Sequence, residues 1–185
     1  MPNKRNVLLV AAFMVGCGTV LQAGDSMFED FESQPATRWE FIADSVMGGV
    51  STGTVACGRE GSASFARLSG TVSTENRGGF IQFRSKLDAP LSENIKGVRM
   101  VVRGNSQKYF VHLRTSGTLL PWQYYQAGFE TSDGWREIRL PLSSFEPSGR
   151  LLRATPAASS VTSIGVVAYG RDHQALVDVR EIGFY

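Results

Sequence analysis

The sequence predicts an all-β protein, a single antiparallel β-sandwich or jelly roll. From Phe28 onward the chain has short apolar runs separated by Gly, Ser, Asn and Pro, and none shows apolar residues at helical spacing. Two Gly-Gly pairs, Gly48-Gly49 and Gly78-Gly79, each close a polar run just before another short apolar run. Short strands at this spacing, joined by glycine-rich turns, are typical of sandwiches.

The strands follow from runs rich in β-branched and aromatic residues that end at turn-forming residues. The first and last strands of such sandwiches commonly pair, so the two ends of the domain are predicted to be adjacent. Segment 147–160 is the one long irregular stretch and is predicted to be a surface loop. The predicted strands are 28–31, 38–42, 53–56, 64–70, 79–87, 97–103, 109–115, 123–130, 135–140, 163–168 and 175–184.

The two glycine pairs predict backbone geometry rather than chemistry. Glycine reaches positive φ without steric cost, so these pairs allow a sharp turn or the close approach of another segment. Asp44, which precedes the first pair, is predicted to cap that turn.

The first 23 residues have the pattern of an export signal. Lys4 and Arg5 precede an unbroken apolar run from Val7 to Val15, and small residues follow. This apolar run is shorter than the roughly 20 residues of a membrane span. Cleavage after Ala23 would remove residues 1–23.

A second cleavage site is an alternative. Met14-Val15-Gly16-Cys17 resembles a lipoprotein signal, in which residues 1–16 are removed and Cys17 is lipidated. Both alternatives predict an exported protein, either in the periplasm or anchored at the outer membrane through Cys17. The β-sandwich domain is predicted to cover residues 27–185.

The charge balance argues against a nucleic-acid partner. The chain has 19 Lys and Arg against 17 Asp and Glu, and Lys4 and Arg5 belong to the predicted signal. The remainder is formally neutral, whereas nucleic-acid binding calls for a basic footprint. Beyond Cys17, Cys57 is the only cysteine, so the domain is predicted to be stabilised by packing without an internal disulfide.

Alternation within four predicted strands separates core residues from a second set. Side chains along a strand point alternately to opposite faces, and the apolar members of each strand are the predicted core. The second set combines aromatic rings with planar hydrogen-bonding groups: Arg84, Arg103, Phe110, His112, Arg114, Trp122, Tyr124 and Gln126.

This set has two interpretations. Arginine beside an aromatic ring on a solvated sheet commonly forms stacking pairs that stabilise cross-strand packing. Convergence of so many such side chains on one face instead favours a ligand- or partner-binding surface.

No catalytic site is predicted. The two histidines, His112 and His173, lack the further ligands of a zinc site, and no G-x-S-x-G sequence occurs. No cofactor is predicted either, although a structural calcium ion between the first and last strands is considered. Its candidate oxygen ligands are Glu29, Asp30, Asp178 and Glu181.

A series of motifs in order along the chain carries a family resemblance. They are Phe28-Glu29-Asp30-Phe31 with Trp39, residues 44–51, residues 75–80, Arg103-Gly104-Asn105 with Tyr109, Trp122 with Tyr125 and Phe129, Trp135 with Leu140-Pro141 and Phe145, and Ile182-Gly183-Phe184-Tyr185. Together they cover residues 27–185 and resemble the complex I intermediate-associated protein 30 family.

The resemblance implies a galactose-binding-domain-like β-sandwich, related in fold to carbohydrate-binding modules. Mitochondrial members of the family are assembly factors for respiratory complex I that act by binding. This sequence differs because it begins with an export-type signal instead of a long mitochondrial leader.

The sequence therefore predicts a non-catalytic binding module of the bacterial envelope, with a protein-interaction or assembly role. The alternative is a carbohydrate-binding module-like lectin, in which Trp122 and Tyr124 stack on sugar rings and the arginines bind hydroxyls or carboxylates. Aromatic rings ordered over an open groove would favour sugar, and a flat apolar surface continuing past them would favour protein.

Overall fold

A computed structural model describes residues 25–185, which form two antiparallel sheets. The strands are β1 (Ser26–Glu29), β2 (Glu40–Ala43), β3 (Thr52–Glu60), β4 (Ala63–Val72), β5 (Phe80–Lys86), β6 (Gly97–Gly104), β7 (Lys108–Thr115), β8 (Tyr125–Glu130), β9 (Arg136–Pro141), β10 (Glu146–Pro147), β11 (Val161–Tyr169) and β12 (His173–Phe184). The helical residues described are short 3₁₀ turns: Pro35–Thr37, Asp44–Met47, Glu75–Arg77, Leu142–Ser144 and Ala158–Ser160.

The predicted fold class is confirmed, and each of the predicted strands corresponds to one in the structure. Sheet A has the order β3-β4-β12-β6-β9, with β1 paired to β12, and sheet B has the order β10-β8-β7-β11-β5-β2. The two-residue strand β10 was not predicted. Nothing in residues 25–185 forms a helix long and apolar enough to cross a membrane.

The first and last strands are adjacent, as predicted. β1 pairs antiparallel with the end of β12, with Ser26 opposite Phe184. The first and last strands of the described residues therefore lie side by side in sheet A.

The alternation pattern predicts which side chains form the core. In sheet B the inward-facing residues Phe83, Tyr109, Val111 and Leu113 are all fully buried, while their neighbours along the strands are half-buried or exposed. In sheet A the inward-facing Val98, Met100 and Val102 are also fully buried, and the outward-facing Val101 is buried as well at 6% exposure. The core thus lies between the sheets, and each sheet turns a second face outward.

The two Gly-Gly motifs meet at one buried carboxylate. Asp44 is fully buried, and its carboxylate accepts hydrogen bonds from the backbone N–H groups of Ser51, Gly79 and Phe80 and from the Ser51 hydroxyl. A Cβ added at Gly49 or Gly78 would lie 2.4 Å from Asp44 carboxylate atoms. Both motifs require glycine because the backbone packs directly against this side chain.

The prediction that the Asp44 side chain caps this turn is wrong, because the 3₁₀ turn Asp44–Met47 has no side-chain cap and is closed by the backbone bond from the Gly49 N–H to the Asp44 carbonyl oxygen at 3.0 Å. Gly48 and Gly79 have φ of 88° and 125°, values that L-residues rarely adopt. The carboxylate thus joins the 44–51 turn to the beginning of β5.

Candidate ligand-binding face

A polar row crosses the outer face of sheet B from one edge to the other. Strand pairing places one residue of each of the six strands in register. Strands lie about 4.8 Å apart, so the row extends over roughly 24 Å. In sheet order from β2 to β10, the polar row consists of Glu40, Arg84, Gly165, His112, Gln126 and Glu146.

Glycine at the centre of the row brings side chains close to the backbone. A Cβ at Gly165 would lie 3.3 Å from Oε1 of Gln82, so the Gln82 side chain extends over the β11 backbone. Arg84 donates to Glu40 at 3.4 Å on the β2 side. Amide, guanidinium and imidazole groups therefore lie side by side on this face.

His112 is held between two neighbours. Its ring stacks on Tyr124 with centroids 4.0 Å apart and planes inclined by 10°, and its Nε2 lies 3.0 Å from Oε1 of Gln126. Burial lowers the pKa of His112 to about 4, and the Gln126 contact opposes this only in part. The imidazole is therefore neutral at pH 7, and Nδ1 can accept a hydrogen bond if Nε2–H donates to Gln126.

Tyr169 completes an aromatic group around His112. Its ring lies 6.0 Å from His112 and 6.1 Å from Phe110, both edge-on. Burial, followed by the neighbouring Tyr169 phenol, raises the pKa of Tyr124, so its hydroxyl remains protonated. Tyr124 thus offers a neutral hydroxyl group beside the Tyr169 ring.

Sequence reasoning missed Tyr169 and Gln82. The β11 strand was predicted to end at Ala168. Its sequence is a continuous apolar run, in which even the outward-facing Val167 is fully buried, so no alternation marked an outward face. Extending the strand by one residue would have included Tyr169. Gln82 lies between Ile81 and Phe83, so the same alternation predicts an outward side chain, but the predicted set did not include it.

Trp122 lies beside this face in the loop between β7 and β8 and is 65% exposed. The Ser148 hydroxyl bonds to both the Trp122 carbonyl and the Tyr124 N–H, each at 3.0 Å. The long loop after β10 therefore fastens the backbone that carries both aromatic residues.

Arg114 continues the face beyond His112. Its Nη2 donates to the carbonyl oxygens of Thr118 at 3.1 Å and Leu120 at 2.9 Å. Burial, and secondarily the charge of Arg84, lowers the pKa of Arg114, although the guanidinium remains charged.

Arg103 corrects the predicted face. It belongs to β6, which lies in sheet A, so its side chain is on the opposite side of the sandwich from His112. There it bonds Asp178 at 2.8 Å and Glu60 at 2.6 Å, and its guanidinium lies 4.4 Å from the Trp135 ring centroid. Alternation correctly turned Arg103 away from the core but could not assign its sheet. The structure brings together the other predicted residues on sheet B, namely Arg84, Phe110, His112, Arg114, Tyr124 and Gln126, and places Trp122 in the adjoining loop, two residues before Tyr124.

We expect Arg103→Ala to affect stability and leave binding on sheet B unchanged. The side chain is 22% exposed and contributes ion pairs and cation–π contacts, so its loss should cost about 1–2 kcal/mol. The melting temperature should then fall by about 3–6 °C. Ligand binding measured on the same samples should match wild type. Loss of ligand binding with an unchanged melting temperature would contradict the assignment of Arg103 to sheet A.

The calcium candidates do not meet in one site. Glu29 is buried and bonds Arg38 and the Trp39 indole N–H, Asp178 bonds two arginines, and Glu181 pairs with Arg99. The remaining candidate, Asp30, accepts the N–H of Glu32. Residues 25–185 contain no group of three or more His, Cys, Asp or Glu side chains that could hold a metal ion. Cys17, the lipidation candidate, lies outside the described residues, as does the predicted signal.

Comparison with solved structures shows which known fold this chain shares. The family 11 carbohydrate-binding module of the cellulosomal cellulase Lic26A-Cel5E of Clostridium thermocellum has a TM-score of 0.70 at 15% identity, covering 87% of this chain and 94% of that one. A structure of the Clostridium thermocellum family 11 module in complex with a β-1,3-1,4-mixed-linked tetrasaccharide matches equally well, with a TM-score of 0.70, 15% identity and coverage of 87% and 95%. The fold is therefore the galactose-binding-like jelly roll of carbohydrate-binding modules.

A more distant match is part of a larger protein. An exo-β-agarase has a TM-score of 0.60 at 10% identity, covering 86% of this chain but 25% of the agarase. A sequence comparison with curated proteins found no match.

The family model for complex I intermediate-associated protein 30 matches residues 29–176. The chain belongs to the complex I intermediate-associated protein 30 family, as the ordered motifs predicted. Family and fold together support a binding module.

Proposed function

We propose that this protein is a non-catalytic module that binds a glycan on the outer face of sheet B. The observation that carries the proposal is the polar row, which crosses all six strands and contains groups able to donate to and accept from sugar hydroxyls. Planar multi-donor groups arranged side by side are suited to ligands with many hydroxyls, whereas the core of a protein interface is depleted of charged residues.

The aromatic residues add a second kind of contact. Tyr124 is stacked against His112, which orders its ring beside the polar row. Trp122 exposes its indole where the loop meets this face. An ordered aromatic ring next to hydrogen-bonding groups provides both a stacking surface and orientation for a sugar.

The structural neighbours support the proposal at the level of the fold. A family 11 module of the same fold was solved with a bound tetrasaccharide, so this sandwich can present a sugar site. Which face and which sugar this chain uses is argued from its own side chains. The chemistry of sheet B favours the lectin alternative over the assembly role.

We expect Gln126→Ala to weaken glycan binding by about tenfold, because the variant removes one row member and the His112 partner. Trp122→Ala should abolish binding with an unchanged melting temperature, since the exposed indole contributes little to the core. A glycan array identifies the ligand, and titration calorimetry gives the affinity of each variant.

Gln174→Ala is the matched control, because Gln174 is an exposed glutamine on a sheet A strand. Its affinity should equal that of wild type. Equal losses in the Gln126 and Gln174 variants, or unfolding of the Trp122 variant, would contradict the assignment of this face.

A second candidate is a protein-interaction module, and the loop between β7 and β8 favours it. Leu119 is 82% exposed, and Leu120 and Trp122 are exposed beside it. A blank glycan array, together with a partner captured from envelope extract by wild type and not by Leu119→Ser, would establish this function instead. Action outside the cytoplasm is part of both candidates and rests on the predicted export signal.

A further inference from the structure

A cationic cavity of about 270 Å³ adjoins the polar row on the outer face of sheet B. Ser163 in β11 lies between Lys86 in β5 and Arg114 in β7, because it pairs with both. Arg84 lies two residues before Lys86 and also lines the cavity. Three positive side chains thus surround a space next to a serine hydroxyl.

The cavity has little negative charge to balance these cations. Within residues 25–185, no carboxylate oxygen lies within 4.0 Å of Arg114 or Lys86, whereas Arg84 has only Glu40 at 3.4 Å. The Glu40 side chain is 70% exposed, so this pair is open to water and weak. Asp88 lines the adjoining cavity on the other side of Arg84 and Lys86.

Arg114 is oriented in advance of any ligand. Its two bonds to the loop carbonyls of Thr118 and Leu120 use Nη2. That loop is itself fastened, because the Thr118 hydroxyl accepts from the Thr115 N–H and donates to its carbonyl. The remaining guanidinium donors have no acceptor in the described part of the chain.

The environment of Arg114 favours an anionic ligand. Its pKa is lowered by partial burial and by repulsion from Arg84, so the charge is partly desolvated and lies near another charge of the same sign. An anion between the two guanidinium groups would offset the cost of both effects. Guanidinium forks bind carboxylate and sulfate-like oxyanions with charge-assisted hydrogen bonds.

We propose that this cavity receives the anionic group of an acidic glycan, either the carboxylate of a uronic acid or a sulfate ester. The inference rests on the proposed function and adds the class of ligand. Arg84 belongs to both the polar row and the cavity, and Arg114 follows His112 on the same face of β7, roughly 7 Å along the strand. A sugar residue bound on the polar row would therefore place an acidic group within reach of Arg114. That group can be carried by the bound residue or by the next residue of the glycan.

The test measures the affinities of three probes for the purified full-length protein by titration calorimetry. The probes are an oligogalacturonate, a sulfated galactan oligosaccharide and a neutral β-1,3-1,4-glucan tetrasaccharide. We expect at least one acidic probe to bind about tenfold or more tightly than the neutral one, with an affinity that falls as salt is raised. Comparison of the two acidic probes distinguishes carboxylate from sulfate.

Arg114→Gln should remove the preference for the acidic probe and its salt dependence. Lys86→Gln is the second variant, because Lys86 is exposed and its substitution should not disturb folding. Arg59→Gln, an exposed arginine on sheet A, is the matched control and should bind like wild type.

The outcomes separate this inference from the proposed function. Equal binding of neutral and acidic probes, unaffected by Arg114→Gln and Lys86→Gln, would overturn the anion site and leave a neutral glycan site in place. Absence of binding to any glycan would overturn the proposed function. Acidic binding lost in Arg114→Gln and weakened in Gln126→Ala would support both.

Discussion

Asp44→Asn is expected to destabilise the protein by about 3 kcal/mol, a fall of about 6–12 °C in melting temperature. The carboxylate is fully buried and accepts four hydrogen bonds that join the two Gly-Gly motifs. The asparagine amide fits the same space, but its NH₂ cannot accept, so in one orientation it faces the Ser51 N–H and in the other the N–H groups of Gly79 and Phe80. Unsatisfied buried donors make this loss large. Urea denaturation and thermal melts measure it.

Asp172→Asn provides the control for this prediction. Asp172 also accepts bonds from another loop, at the N–H and hydroxyl of Thr74, but it is exposed. Its variant should melt close to wild type. If both variants lost stability equally, burial of the Asp44 carboxylate would not be the cause.

Asp178→Asn is expected to cost about 2–3 kcal/mol at neutral pH. Asp178 is 2% exposed on the outer face of sheet A and bonds Arg67 at 2.7 and 2.8 Å and Arg103 at 2.8 Å. The neutral amide leaves both guanidinium groups without their common counter-ion. The exposed Asp133→Asn variant, in the turn before β9, is the control and should be unchanged.

The pH dependence of this loss has a definite sign. Burial alone would raise the pKa of Asp178, but hydrogen bonds from Arg67 and Arg103 and their charges outweigh it, and the pKa lies below its ordinary value. A carboxyl whose pKa is lowered on folding stabilises the native state above its unfolded value of about 3.9, and this is lost as pH falls through the folded pKa. The difference between wild type and Asp178→Asn should therefore be largest near pH 7 and shrink below about pH 4. A difference that grew in acid would contradict the ion-pair explanation.

The strands and the division between core and outer residues could be predicted from the sequence. Side chains in a strand alternate with a period of two, a local property, so Phe83, Tyr109, Val111 and Met100 were identified as core without knowledge of the partner strands. The fold class followed because short strands between glycine-rich turns have few alternative packings. The ordered motifs also established the family, which the match over residues 29–176 confirms.

Which sheet each strand joins was decided only by the tertiary structure. Arg103 and His112 follow each other closely along the chain and both point away from the core, yet they lie on opposite outer faces. Alternation specifies inward or outward for one strand but carries no information on which of two sheets that strand enters. The predicted set therefore combined Arg103, which pairs with Asp178 on sheet A, with residues that lie on sheet B.

The same limit applies to contacts between distant segments. The glycine pairs at 48–49 and 78–79 were visible as places where backbone must turn or pack closely, but only folding shows that both pack against the Asp44 carboxylate. Likewise the sequence by itself determined that Arg84 and Arg114 face outward, whereas Lys86 was not part of the predicted set. The convergence of all three around Ser163 depends on β11 lying between β5 and β7, a non-local strand order that no local pattern encodes.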